Sequence, residues 1–362
     1  MSSTRSVSLP VLISFGLALT GFSAACSDSP AISASDDQQG STIDPDRSKK
    51  DAGAPKDAGS TVDAGHDAGQ GTSDAAAPDA GSPTHAIKTV FMILMENHNW
   101  SDIKGSSSAA YINSLLSQAA HAENYYENPS AVHPSEPNYI WLESGDNLGI
   151  TTDNDPPLNY QTTTNHLVTL LANAGVSWHA WVEGIDGKSC PIHTNGLFAP
   201  KHTPMLFFSD VVGSPPSTTA PDCIANIRPY TELSTALKGN TVAQYNFITP
   251  NLCDDMHNPT GCASNQISNG DTWLSTEVPK ILASKAYADN GALFITWDES
   301  EMGEHPIGMI VLSPLAKVGY SNSIQYYHSS MLRTVEEIFS IKPLLRDASV
   351  RPSLSDLFTT YP

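Results

Sequence analysis

Three polar clusters in the 362-residue sequence could do chemistry, because each directly follows a stretch that reads as a strand. Glu96-Asn97-His98 follows Thr89-Val-Phe-Met-Ile-Leu-Met95. Thr249-Pro-Asn-Leu-Cys-Asp-Asp-Met-His257 follows the run 242–248, and Asp298-Glu299 closes the run 292–297. Carboxylates and an Asn carbonyl are hard oxygen donors, suited to Mg, Ca, Mn or, with help, Zn. Each alone would serve as a helix cap or a surface charge. Two adjacent carboxylates after a buried run are costly unless they share a cation. A fourth cluster is Val132-His133-Pro134-Ser135-Glu136-Pro137-Asn138-Tyr139. A Ser with Pro two residues on suits the first turn of a helix, where free backbone N–H groups also cradle phosphate. Position alone fits an N-cap. A serine on a metal would instead ionise and attack phosphorus, giving a phosphoseryl intermediate. No Gly-x-Ser-x-Gly elbow surrounds Ser135, which argues against an ordinary serine hydrolase.

The elements that must position these groups alternate along the chain. The patterns predict strands over 89–95, 176–182, 242–248, 292–297 and 307–312. Helices are expected over 109–120, 165–174, 272–286 and 330–339, with Asp271 as a cap and Pro279 kinking or splitting its helix. Strands alternating with helices imply an α/β fold with a largely parallel central sheet and helices on both faces. Polar groups at the carboxyl ends of such strands gather along one edge.

Taken together, Glu96-Asn97-His98-Asn99-Trp100, His133-Pro134-Ser135-Glu136-Pro137-Asn138-Tyr139, Asp298-Glu299 and His328-Ser-Ser-Met-Leu-Arg-Thr-Val-Glu-Glu337 resemble the bacterial and fungal phosphoesterase family. That family comprises acid phosphatases and phospholipases C with an alkaline-phosphatase-like fold. The resemblance implies a divalent metal ion held by Glu96, Asn97, Asp298 and Glu299, with Ser135 as nucleophile beside it. It places His257 and His328 as catalytic candidates and His133, His202 and His305 around the phosphate. Phosphate binding, leaving-group protonation or a second metal all remain open for these histidines. The stretch Ser300–His305 matches the phospholipase C pattern only loosely, and the longer C-terminal region of those enzymes is absent. Both departures favour a compact phosphate monoesterase over phosphodiester cleavage, with a non-catalytic binding lipoprotein as the more distant alternative. The substrate expected is a phosphate-ester small molecule or a phospholipid head group.

The chain begins with Arg5, a short apolar run and the small residues Ser23-Ala24-Ala25 before Cys26, the order of an export signal over 1–25. A cysteine there suits lipid attachment, and hence a membrane contact in the cell envelope. From there to residue 85, Asp-Ala-Gly recurs at Asp51, Asp57, Asp63, Asp67 and Asp79 with almost nothing apolar, so a tether is expected. The catalytic domain is assigned to 86–362. Of the chain's formal charge of -20, the domain keeps -14 once Arg5 and the tether's eleven Asp and four Lys/Arg are set aside. Such a surface repels nucleic acid, and phosphate chemistry on it calls for a cation. The four remaining cysteines favour two disulfides in an exported protein, Cys190–Cys223 and Cys253–Cys262 among three possible pairings.

Overall fold

The computed structural model describes residues 85–128, 133–257 and 259–362. The export signal, Cys26 and all but the last residue of the expected tether lie outside these residues. The strands are β1 Thr89–Met95, β2 Ala120–Ala122, β3 Tyr125–Tyr126, β4 Trp178–Val182 and β5 Ile227–Pro229. They continue as β6 Tyr245–Thr249, β7 Gly291–Trp297, β8 Met309–Leu312, β9 Tyr320–Asn322 and β10 Tyr326–Tyr327. Eight of them form one sheet in the order β5-β4-β6-β1-β7-β8-β2-β9. β1 lies centrally, bonded in parallel to β6 and β7, and its residues beyond Thr89 are all buried. Burial on both faces explains why its sequence is an unbroken apolar run. Only β8 runs against its neighbours. β3 and β10 form a small parallel pair of their own.

Two helical groups flank the sheet. The Ser135 helix (Ser135–Ser144) packs with the Leu167 helix (Leu167–Asn173) and the His328 helix (His328–Ile338). The Gln266 helix (Gln266–Leu282) packs with Ala110–Leu115, Leu233–Gly239 and Lys285–Ala288. This is the α/β architecture that the alternating patterns imply. Both expected disulfides, Cys190–Cys223 and Cys253–Cys262, are present.

Some elements differ from expectation. The helix expected over 109–120 is confined to Ala110–Leu115, because Ala120 is drawn into the sheet opposite Val311. The helix expected from 272 starts six residues earlier, where the Asn265 side chain accepts Ser268 N–H at 2.9 Å. Asp271 does not cap it. Its carboxylate accepts Tyr111 N–H at 3.1 Å and Ile112 N–H at 2.8 Å, capping a different helix across space. Pro279 sits inside the Gln266 helix without splitting it.

The far end of the Ser135 helix is held by a buried ionic clamp. Glu143 Oε1 lies 2.8 Å from His166 Nδ1, and Asp210 Oδ1 lies 3.0 Å from His166 Nε2. Phe208 stacks on the imidazole at 3.8 Å between ring centres. Burial disfavours the imidazolium, but the hydrogen bonds and charges of Asp210 and Glu143 outweigh it and raise its pKa above 6.5. A raised histidine pKa stabilises the fold below the unfolded value of 6.5, and that contribution fades as pH climbs through the folded value. His166→Gln is therefore expected to cost about 3 kcal/mol at pH 6, with a smaller cost near pH 9. Urea unfolding at the two pH values checks this, and equal costs would mean that the ring is held neutral.

Candidate active site

The sheet's register brings the acidic clusters together. Met95 pairs with Trp297 at the ends of β1 and β7, so Glu96 and Asp298 emerge side by side. Asp298 N–H donates to Met95 O at 2.9 Å, and Glu96 N–H donates to Asp255 O at 2.7 Å in the turn after β6. Asn97 takes a left-handed backbone with φ of 33°, a conformation that Asn tolerates better than most residues. The turn lets Asn97 N–H donate to Asp298 Oδ1 at 2.9 Å, and its side-chain amide to Glu299 Oε1 at 2.6 Å. Glu96, Asp255, Asp298 and Glu299 are all buried.

The Ser135 helix delivers the hydroxyl. Ser135 is the helix's first residue, buried, and its Oγ lies 3.2 Å from Glu96 Oε2 and 3.5 Å from Glu299 Oε1. Asn138 and Tyr139 share its face, since residues three and four apart in a helix line up. Tyr139 OH donates to Glu96 Oε1 at 2.6 Å, and Asn138 Nδ2 to Glu299 Oε2 at 3.2 Å. Asn128 steadies Asn138 in turn, with Nδ2 3.1 Å from its Oδ1. Glu127 accepts from the Ser300 backbone N–H and hydroxyl, fixing the chain just past Glu299.

The five histidines fare differently. His202 Nε2 lies 3.0 Å from Glu96 Oε1 and its Nδ1 lies 3.1 Å from Asp255 Oδ2, while Tyr139 stacks on the ring at 5.1 Å. His133 Nδ1 lies 2.8 Å from Glu299 Oε2, and its side chain is 40% exposed. His257 is exposed with its ring centre 5.8 Å from that of His202. His328 is wholly buried: Nε2 donates to Asp298 O at 2.6 Å and Tyr125 OH lies 3.1 Å from Nδ1. Burial pushes its pKa down to about 4, so it is neutral and braces the Asp298 backbone. His305 lies on the exposed loop after Glu299 and lines a cleft with Trp100, Lys104 and Glu123, apart from the carboxylates. Asp255, Asn138 and Tyr139 belong to the cluster, although the sequence marks out only their stretches and gives them no individual role. The Ser135/Asn138/Tyr139 spacing and the position of Asp255 after a buried strand were the available signals.

A family profile described as Phosphoesterase family matches residues 106–342, a span holding Ser135, His202, Asp255, Asp298 and Glu299. The chain belongs to the phosphoesterase family. It is 29% identical over 290 residues to a phosphatidylinositol-3-phosphatase of Mycobacterium tuberculosis, covering 78% of this chain and 88% of that protein. A probable acid phosphatase of Kluyveromyces lactis is 26% identical over 281 residues, covering 73% of this chain but 62% of the longer yeast protein. A solved structure from work on the metabolism of multiple glycosaminoglycans by Bacteroides thetaiotaomicron aligns with a TM-score of 0.53 at 12% identity. It covers 76% of this chain and 83% of the other, a likeness of fold. The chain is thus a phosphoric ester hydrolase with acid phosphatase relatives.

The donor set of this phosphoesterase fits a divalent cation. Asn97 Oδ1 and Asp298 Oδ2 are buried without a hydrogen-bond partner, which is costly for hard oxygen donors unless something binds them. Burial, together with repulsion from Glu96, pushes Glu299 up to about 8. Burial and the charges of Glu96 and Glu299 hold Asp298 well above its usual range. Glu96 is also opposed by burial, but the charge and hydrogen bond of His202 bring it down to about 2. His202 in turn is held at about 9, because attraction to Glu96 and Asp255 overcomes its burial. Glu96, His202 and Asp255 also present ligand atoms all within 4.8 Å of one another and could hold a metal ion. Chelation is expected to abolish ester hydrolysis, with activity restored by a divalent cation. Asp298→Ala should lose bound metal, read by elemental analysis, together with turnover. Full activity in metal-free protein would contradict the assignment.

Proposed function

We propose that this phosphoesterase is an exported, metal-dependent monoesterase of the acid phosphatase type that works through Ser135. The observation that carries the reading is the buried Ser135 Oγ at a helix N-terminus, 3.2 Å from Glu96 Oε2 and 3.5 Å from Glu299 Oε1. A divalent cation held by Glu96, Asn97, Asp298 and Glu299 would supply the positive charge that favours ionised Oγ and offsets charge on phosphate. Under that charge Ser135 would give up its proton to solvent, while Glu96, kept as a carboxylate by His202, positions Oγ from 3.2 Å. Oγ attacks phosphorus, the Oγ–P bond forms, and the P–O bond to the leaving alcohol breaks. His257, the most exposed imidazole beside His202, gives that alcohol its proton. It then takes one from the water that splits the phosphoseryl ester and releases inorganic phosphate. Partial desolvation, aided by the charges of Lys201 and His202 and opposed by Glu96, lowers the pKa of His257, which fits a general acid working in acidic solution. His133 at the rim orients the ester, while His202 and His328 hold Glu96 and Asp298.

The name of the mycobacterial relative supports a monoester on a lipid head group as one substrate within reach. Two disulfides suit an oxidising compartment and support export. Among the described residues no helix is long and apolar enough to cross a membrane. Membrane contact is assigned to a lipid on Cys26, with 26–85 as the tether.

Ser135→Ala is expected to lower turnover of p-nitrophenyl phosphate at least about 10³-fold while keeping fold and metal. Acid quench of wild type with a labelled ester should trap phosphoserine in the 133–139 peptide. If Ser135 only caps its helix, the substitution costs about 1 kcal/mol of stability and leaves turnover nearly intact. A phosphorylcholine diester assayed alongside separates this reading from a phospholipase C.

A further inference from the structure

Lys201 is an unusual cation for so acidic a chain. Its side chain is only 16% exposed, and Nζ donates to Asp153 Oδ2 at 2.7 Å. The other oxygen of Asp153 accepts Glu136 N–H at 3.0 Å, in the first turn of the Ser135 helix. An internal carboxylate thus sits at the amino end of the helix that presents Ser135, held by a backbone N–H and an ammonium. These are the partners that a phosphate dianion takes at such a place. Lys201 also directly precedes His202, whose Nε2 is 3.0 Å from Glu96 Oε1, and its charge favours ionised Glu96 and Glu299. The ammonium is therefore bonded at the helix end and close enough to the carboxylate cluster for its charge to be felt there.

We propose that Lys201 binds the phosphate group of the ester, and that Asp153 is a placeholder anion displaced from Lys201 and Glu136 N–H when substrate arrives. The inference rests on the Ser135 reading, and it adds a cation that, unlike His202 between Glu96 and Asp255, is held at the helix end. A dianion entering beside four buried carboxylates meets repulsion that a single divalent cation offsets only in part. A lysine on a flexible stem can leave one anion for another without rebuilding the site. Asp153 belongs to an exposed stretch, 151–154, so its withdrawal disrupts little packing. A merely structural brace would make the two residues equivalent partners. A placeholder makes them antagonists in phosphate binding.

That difference gives the test, on full-length metal-loaded enzyme with p-nitrophenyl phosphate as substrate and inorganic phosphate as competing product. Lys201→Met should raise KM and the phosphate inhibition constant about tenfold, the scale of one lost charge-assisted hydrogen bond, with kcat changed less. Lys201→Arg should recover most of that loss. Asp153→Asn should move both constants the opposite way, tightening phosphate by about threefold through one less like charge. Weakening of phosphate by Asp153→Asn to the same degree as by Lys201→Met would overturn the proposal, as would an unchanged inhibition constant in a folded Lys201→Met. If Lys201→Met does not fold, the sign of the Asp153→Asn shift decides alone. If wild type turns over no monoester, the Ser135 reading fails separately. Phosphate binding by calorimetry in the same variants then still decides the role of Lys201.

Discussion

The carboxylates of Glu96, Asp255, Asp298 and Glu299 lie almost wholly out of water within one small region. Like charges at that depth repel, and each has also forfeited its hydration. The protein resolves the conflict unequally. Glu96 stays ionised because His202 is wedged between it and Asp255, whereas Asp298 and Glu299 are pushed towards their protonated forms. Two hard donors, Asn97 Oδ1 and Asp298 Oδ2, are left without partners. A folded protein keeps such an arrangement only where something else gains from it, and the divalent cation proposed beside Ser135 would be that gain.

The rest of the fold serves this crowding. β1, β6 and β7 are parallel neighbours, so their carboxyl ends open at one edge, and register sets Glu96 beside Asp298. Strands buried on both faces are stiff supports, which suits donors whose spacing must not drift. The Ser135 helix meets them end-on and commits three side chains on one face to the carboxylates. Its far end is fixed by the His166 clamp. A displacement of the helix along its axis would therefore have to break hydrogen bonds to carboxylates at one end and the ionic clamp at the other.

Much of this was legible in the chain because local physics decided it. The run 89–95 reads as a strand covered on both sides, and the charged groups behind three expected strands of one parallel sheet had to share an edge. The cysteine pairing was legible for the same reason, each bridge closing a loop. What escaped notice was set by contacts distant in sequence. Asp271 reads as the cap of the helix it lies in, yet it caps one some 160 positions away in sequence. Asp255 reads as one acid among several in a turn until the turn is seen to fold back onto Glu96 N–H. His328 and His305 look alike in the sequence as imidazoles near motifs. One is sealed under Asp298 and the other stands in solvent, a distinction made by packing alone.

The central claim is that the buried carboxylates exist to hold a cation against Ser135. Anomalous diffraction from crystals grown with manganese and vanadate, a mimic of phosphate in transfer, tests it directly. The account predicts one manganese peak enclosed by Glu96, Asn97, Asp298 and Glu299, with vanadium bonded to Ser135 Oγ beside it. Vanadium bonded elsewhere, or carboxylates with no metal among them while vanadate is bound, would contradict it.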